Sequence, residues 1–152
     1  MWASLLAVLG TLAGALLSGL LQHRAARADR TDARTEQLRR DRMNAVTALA
    51  VALSDHRRAM WEVRGAQLAG KPDERVQELR DESHRTRSGI TDPSVRMRLL
   101  ISDEEVRAAA LAATRATYAM RDAADTEALQ ATRSTALALH DHFVDTAGAH
   151  LA

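Results

Sequence analysis

The stretch that decides the fold is WASLLAVLGTLAGALLSGLL, residues 2–21, which contains no charged residue, no proline and no Asn, Gln or His. Twenty residues of α-helix cover about 30 Å, the thickness of the hydrocarbon core of a bilayer. Its eight leucines each favour insertion by about 0.5 kcal/mol, and no side chain brings the penalty of about 3 kcal/mol of a buried charge. The sequence predicts a single transmembrane helix over residues 2–21.

Two other interpretations of this stretch were weighed. A cleaved secretory signal would use the small-x-small sequence Ala26-Arg27-Ala28, but a signal peptide begins with basic residues and has an apolar core of about 7 to 15 residues. The chain begins Met1-Trp2-Ala3-Ser4, and its apolar stretch is longer. A buried helix of a soluble protein would need an apolar partner on every face, whereas the rest of the chain is mostly amphipathic or polar.

Basic residues predict the orientation of the helix. None precedes residue 2, and six arginines follow within about twenty residues, a bias that keeps the carboxyl side in the cytoplasm: Arg24, Arg27, Arg30, Arg34, Arg39 and Arg40. We therefore expect a single-pass protein of the cell membrane with its amino terminus outside and its remaining domain cytoplasmic. Arg24, Arg27 and Arg30 would contact anionic headgroups, at about 1 kcal/mol each.

Small residues recur along one side of the predicted membrane helix, at steps of three and four: Ala3, Ala7, Gly10, Gly14 and Ser18. Gly10 and Gly14 form a GxxxG motif, which allows two helix backbones to approach closely in lipid. Homodimerisation through this face is one interpretation. Glycine that is merely tolerated in an unpaired helix is the other.

The remaining chain divides into a polar stalk helix at residues 22–42 and a helical domain at residues 43–151. Aromatic residues make up 3% of the chain, so alanine and other small residues must provide close helix contacts, which favours an all-α fold. We predict an antiparallel cytoplasmic bundle continuing the long amino-terminal helix, with helices at about 43–69, 73–87, 93–100, 103–122 and 126–150.

Several local signals set these boundaries. Gly70 suits the left-handed end of the first bundle helix, and Pro72 suits the start of the next. Ser102 with Glu105 has the form of a capping box at the start of the helix 103–122. Thr91 or Asp92 is expected to cap the preceding helix, 93–100. A single helix from Asp103 to about Ala147 is an alternative, because no glycine or proline enforces a turn at residues 122–126.

An apolar stripe in the first bundle helix requires a packing partner: Met43, Val46, Leu49, Ala50, Leu53, Met60, Trp61 and Val63. His56 lies beside that stripe, and we interpret it as a histidine at the edge of the core. The segment from Val95 to Ile101 alternates as a strand does, but a lone strand would have nothing to pair with.

No catalytic constellation occurs at a useful spacing, so we predict no enzyme and no cofactor. The chain has no cysteine, which excludes disulfides and thiolate zinc sites. His140 and His142 are two residues apart on a predicted helix and diverge by about 200°, so they cannot share a metal ion. A net charge of +1 and the lack of an aromatic platform argue against direct nucleic-acid binding.

Three segments carry a resemblance to a known family: Gln22-His23-Arg24-Ala25-Ala26-Arg27 after the apolar stretch, Thr86-Arg87-Ser88-Gly89-Ile90-Thr91-Asp92-Pro93, and Ala116-Thr117-Tyr118-Ala119-Met120-Arg121. In these the chain resembles the KilB-type proteins of actinobacteria, small membrane proteins associated with the spread of conjugative plasmids through mycelium. The resemblance implies a plasmid-linked role at the membrane and offers no catalytic residues.

The resulting hypothesis is a membrane-anchored helical scaffold that acts by contact with other proteins, whose identity the sequence does not give, in plasmid transfer or spread. Two alternatives stay open. One is a small membrane toxin or pore, which would have to oligomerise because a single helix encloses no channel. The other is a secreted soluble helical protein, which requires cleavage near Ala28.

Overall fold

The computed structural model describes the backbone of residues 2–151 and the side chains of residues 32–151. The prediction of an all-α protein is confirmed, and no strand occurs between residues 2 and 151. The elements are α1 (Trp2–Leu68), α2 (Asp73–Gly89), α3 (Thr91–Leu100), α4 (Glu104–Ala119), a 3₁₀ turn (Met120–Asp122) and α5 (Thr126–Leu151).

The chain forms two compact units, one ending at Arg40 and one beginning at Asp41. Residues 2–21 have helical backbone, but their side chains lie outside the described ones, so the membrane helix and its small face stay predictions. Among residues 32–151, no helix is long and apolar enough to cross a bilayer. In the first unit, Arg40 Nε lies 3.0 Å from Glu36 Oε1, an exposed pair worth a few tenths of a kcal/mol.

One glycine determines where α1 ends. Gly70 has a φ of 61°, the left-handed conformation that the sequence predicts for it. The amide of Gly70 donates to the carbonyl of Gln67, and the amide of Lys71 donates to that of Ala66 at 3.0 Å. This is the Schellman arrangement, which satisfies carbonyls at the end of the helix and reverses the chain.

The caps of α3 and α4 differ from those predicted. Asp103 rather than Ser102 caps α4, since its Oδ1 accepts from the amide of Val106 at 2.9 Å. Neither Thr91 nor Asp92 caps α3, because Ile90 holds the capping position without a side-chain bond. Ile90 is 3% exposed and Ile101 is 1% exposed. Burial of these two side chains fixes where each helix begins, and burial outweighs capping preference.

The chain breaks between α4 and α5, so the alternative of one continuous helix is wrong. Ala123 is extended and buried. The Nε and Nη2 atoms of Arg64 donate to the Ala123 carbonyl at 2.8 and 2.6 Å. Asp125 Oδ1 accepts from the amide of Ala128 at 2.7 Å and caps α5. Both ends of the turn are thus held by side-chain bonds rather than by glycine or proline.

Contacts within the second unit establish an antiparallel bundle. The α1 segment from Asp41 onward runs with α4, because Arg42 bonds to the carbonyl of Leu100 and Arg64 to that of Ala123. It runs against α2, because His56 contacts Thr86 whereas the later residue Met60 contacts the earlier residue Ser83. It also runs against α5, because Ala50 contacts His140 whereas Trp61 contacts Arg133.

The core is built largely from small side chains. On α4, Ala109, Ala110 and Ala113 are at most 5% exposed, and Ala136 and Ala147 on α5 are fully buried. Phe143 is 0% exposed and belongs to the same buried cluster as Leu49 and Val106. The helices approach closely because alanine keeps the α4 face flat.

Most of the predicted stripe of α1 is buried, with two corrections. Val46, Leu49 and Leu53 are at most 7% exposed, whereas Met43 is 46% exposed and Ala45 occupies the buried position. His56 is 1% exposed, so it is a buried core residue rather than one at the edge. The histidine is buried because α2 covers it, which the α1 pattern alone does not indicate.

A substitution tests the small-residue packing. Ala113→Leu adds a side chain where none fits, and overpacking costs about 1–3 kcal/mol. The matched change Ala108→Leu lies on the exposed side of α4 and should alter stability by at most about 0.5 kcal/mol. Urea unfolding followed by circular dichroism measures both. Equal unfolding midpoints for the two variants would contradict the close contact at Ala113.

Candidate functional site

A cavity of about 350 Å³ opens between α1, α2 and α4. Apolar side chains form part of its wall, among them Met60, Val63 and the ring of Tyr118. Basic side chains form much of the rest: Arg64, Arg80, His84, Arg87 and Arg121. Among residues 32–151, no carboxylate lines it, so the described wall carries an excess of positive charge.

The sequence of α2 accounts for the basic wall. Arg80, His84 and Arg87 are spaced by four and three residues, so they share one face of the helix. The apolar face of α2 is narrow, with Val76 buried and Leu79 half-buried. A helix with so few large apolar side chains cannot fill the space against α1 and α4. The cavity is the part of this space that no side chain fills.

The arginines differ in how far their donors are used within residues 32–151. Arg64 gives three of its nitrogens to Ala123 and Gln67, and Arg121 pairs with Asp122 at 3.1 Å. Arg80 donates only to Gln77, at 3.1 Å. A guanidinium group has five N–H donors. Arg80 therefore retains most of its donors for another partner.

Arg87 is held over an aromatic ring. Its guanidinium carbon lies 5.2 Å from the centroid of Tyr118, within the range of a cation–π interaction. Arg87 is exposed and lines the cavity, and a contact with the face of a ring leaves the N–H donors at the edge of the guanidinium available. Within residues 32–151, neither Arg80 nor Arg87 forms an ion pair.

His56 lies buried in the wall of the cavity. Its Nδ1 is 3.0 Å from the hydroxyl oxygen of Thr86, and that hydroxyl donates to carbonyls of its own helix. Because the hydroxyl has one proton, Nδ1 of His56 is the donor in the His56–Thr86 bond. The ring of Tyr118 meets the imidazole edge to face, with centroids 5.5 Å apart.

The pKa of His56 is lowered from 6.5 to about 4. Burial is the main cause, and the charges of Arg87 and His84 lower the pKa further. The imidazole is therefore neutral at pH 7. The two charges that add to the effect of burial, those of Arg87 and His84, belong to residues that line the cavity.

A second basic group lies where α1 meets α5. The guanidinium of Arg133 sits 4.8 Å from the ring centroid of Trp61. Arg57 and Arg58 line the same surface pocket, and Nη1 of Arg57 is buried without a hydrogen bond to any described residue. Burial lowers the pKa of Arg57, while Asp141 acts in the opposite direction.

The residues predicted as membrane contacts are not brought into this site. Ala3, Ala7, Gly10, Gly14 and Ser18, like Arg24, Arg27 and Arg30, lie outside the described side chains, and their roles stay predictions. Within residues 32–151, no group of three potential ligands could hold a metal ion. His140 bonds instead to Ser54, Ala50 and Asp141.

Sequence reasoning missed the cavity altogether. A signal exists, since the spacing of Arg80, His84 and Arg87 gives α2 a basic face. That face was overlooked because the interleaved acidic residues keep the overall charge near zero. The tertiary partners of the face, Arg64 and Tyr118, come from helices distant in sequence, and only the packing brings them together.

A family model described as KilB plasmid transfer protein matches residues 43–151, nearly all of the second unit. The chain belongs to the KilB family. It is 46% identical over 147 residues to Protein KilB of Streptomyces lividans, covering 97% of this chain and 96% of that relative. No solved structure matches the chain.

Family membership confirms the resemblance noted from the sequence and makes the chain a member of a plasmid-associated family. The bundle carries the whole family match, so the cavity between α1, α2 and α4 lies inside the family domain. The match ends at Leu151, the last residue of α5.

The buried histidine yields a pH prediction. As pH falls below 6.5, the unfolded chain takes up a proton that folded His56 refuses until about pH 4. Stability is therefore lost on acidification, by about 2 kcal/mol between pH 7 and pH 5 from this group. His56→Gln keeps a donor for Thr86 and removes the titration. Between pH 7 and pH 5, the free energy of unfolding of the parent, measured in urea, should fall by about 2 kcal/mol more than that of this variant. An equal fall in both proteins would refute the assignment.

Proposed function

We propose that the protein is a membrane-anchored helical interaction protein that acts in plasmid transfer, with a single amino-terminal helix in the bilayer and its bundle in the cytoplasm. The observation that carries the proposal is the family match over residues 43–151 in a chain whose residues 2–21 are uncharged and apolar. Such a stretch has the length and chemistry of a membrane helix.

The bundle itself supports action by contact rather than by catalysis. Its basic cavity contains no paired acid and base or activated nucleophile among the lining residues. On α3, Leu99 is 80% exposed and Val95 is 49% exposed, although Met97 of the same helix is buried. A protein that recruits others needs accessible side chains of this kind. The proposed role is therefore to gather components of a transfer apparatus at the membrane.

Orientation forms part of the proposal. The six arginines that follow residue 21 and the absence of basic residues before it favour a cytoplasmic bundle. Pairing of two copies through Gly10 and Gly14 would place two bundles side by side at the membrane, since small residues allow close helix contact in lipid.

The experiment compares two double variants in a host whose plasmid lacks the gene. Leu9→Arg with Leu12→Arg adds about 7 kcal/mol to insertion, which outweighs the roughly 4 kcal/mol that the eight leucines contribute. We expect this variant to leave the membrane fraction and plasmid transfer to fall to the level without the gene. The matched control, Leu38→Arg with Leu111→Arg, changes two exposed leucines of the described region and should remain in the membrane.

Protease added to intact spheroplasts tests on which side of the membrane the bundle lies. If the bundle is cytoplasmic, the protease should leave it uncut until the membrane is broken. Cleavage of the bundle from outside would refute the cytoplasmic orientation. A parent chain found in the medium about 28 residues shorter would refute the anchor, and full transfer by the anchor variant would show that anchoring is dispensable.

A further inference from the structure

The cavity between α1, α2 and α4 has the features of a ligand site that the family description does not assign. Its volume of about 350 Å³ falls within the range of about 300–1,000 Å³ that small-molecule pockets occupy. Its walls combine an apolar part with several basic groups. Sites for small molecules have this composition, with apolar surface for the body and a few polar groups for orientation.

Charge selects the chemical class. Arg64, Arg80, Arg87 and Arg121 place four permanent positive charges around one space, and none of its described lining residues is a carboxylate. Asp122 pairs with Arg121, so three of these charges have no ion-pair partner within residues 32–151. An anion that entered the space would be attracted by all of them. One carboxylate would compensate a single charge, whereas a phosphate monoester carries about −1.5 to −2 near pH 7.

Geometry favours phosphate as well. A guanidinium group offers a planar fork of donors that matches two oxygens of a phosphate. Arg80 and Arg87 lie seven residues apart on one face of α2, form no ion pair within residues 32–151, and have donors that no described residue accepts. Arg87 is already oriented by Tyr118, so little entropy would be lost when it binds a ligand.

We propose that this cavity binds a small phosphate monoester, with the phosphate held by Arg80 and Arg87 and the organic part against Met60, Val63 and Tyr118. The same chemistry occurs in soluble phosphorylated compounds and in the headgroup of phosphatidic acid. The site lies within the second unit, so the proposal is independent of whether residues 2–21 cross a membrane.

Calorimetric titration of the full chain in nonionic detergent tests the site. AMP is the soluble probe, and adenosine is its match without the phosphate. We expect one AMP to bind per chain with a dissociation constant below the millimolar range and adenosine to release no heat. Dioctanoyl phosphatidic acid and dioctanoylglycerol form the equivalent lipid pair. Tighter binding of the lipid phosphate would identify the membrane as the source, and tighter binding of AMP would identify a soluble compound.

Variants locate the binding. Arg80→Gln and Arg87→Gln should each weaken binding about tenfold or more, because each removes charge-assisted hydrogen bonds. Arg75→Gln is the matched control. Like Arg80 and Arg87, Arg75 is an exposed arginine of α2, but it pairs with Glu78 and does not line the cavity, so the affinity of this variant should equal that of the parent. Arg80→Lys keeps the positive charge but lacks the planar pair of guanidinium donors, so its affinity should lie between those of the parent and Arg80→Gln. If a glutamine variant fails to fold, the affinity of Arg80→Lys serves as the test instead.

Three results would overturn the proposal. The first is no binding of either phosphate probe at millimolar concentration to a chain with full helical content. The second is equal binding of adenosine and AMP, or an equal loss in Arg75→Gln and Arg80→Gln. The third is tighter binding of an oligonucleotide without terminal phosphates that is lost in the same variants, because the site would then recognise a phosphodiester backbone.

Discussion

The second unit depends on the close contact that alanine allows between α4 and the helices on either side of it. Ala109, Ala110 and Ala113 present a nearly flat face, so α5 and the α1 segment from Asp41 onward can bury Phe143, Leu49 and Leu53 with few aromatic residues. Ile90, Met97 of α3 and Ile101 belong to the same buried cluster. α2 adds little large apolar area, since only Val76 is buried and Leu79 half-buried, and its inward residues Ser83 and Thr86 are polar.

The cavity is a consequence of this shortage of apolar area on α2. α2 approaches α1 through Ser83 and Thr86, whose hydroxyls meet Met60 and His56, and large apolar side chains are scarce at this contact. Arg64, Arg80, Arg87 and Arg121 line the unfilled space, next to a histidine whose pKa is lowered mainly by burial and further by the charges of Arg87 and His84. Natural proteins retain such locally unfavourable groups where function requires them, which is why the cavity carries the proposal of a ligand site.

The sequence predicts the backbone better than the surfaces. The all-α class follows from alanine content and periodicity, and the left-handed Gly70 follows from its own stereochemistry. The capping residues are harder to predict from the sequence, because Ile90 and Ile101 are buried by tertiary contacts that override the local capping preference of Ser102 and Thr91. The cavity could not be predicted, since Arg64, Arg87 and Tyr118 belong to three helices and meet only after packing.

Hydrogen exchange of the full chain with and without AMP tests most directly the central claim, that the basic cavity between α1, α2 and α4 is a ligand site. A ligand held by Arg80 and Arg87 and packed against Tyr118 should slow exchange in peptides covering residues 79–89 and 116–122. Peptides from the middle of α5 serve as the internal reference and should not change. Unchanged exchange in α2 at saturating AMP, or slower exchange only outside these segments, would contradict the claim.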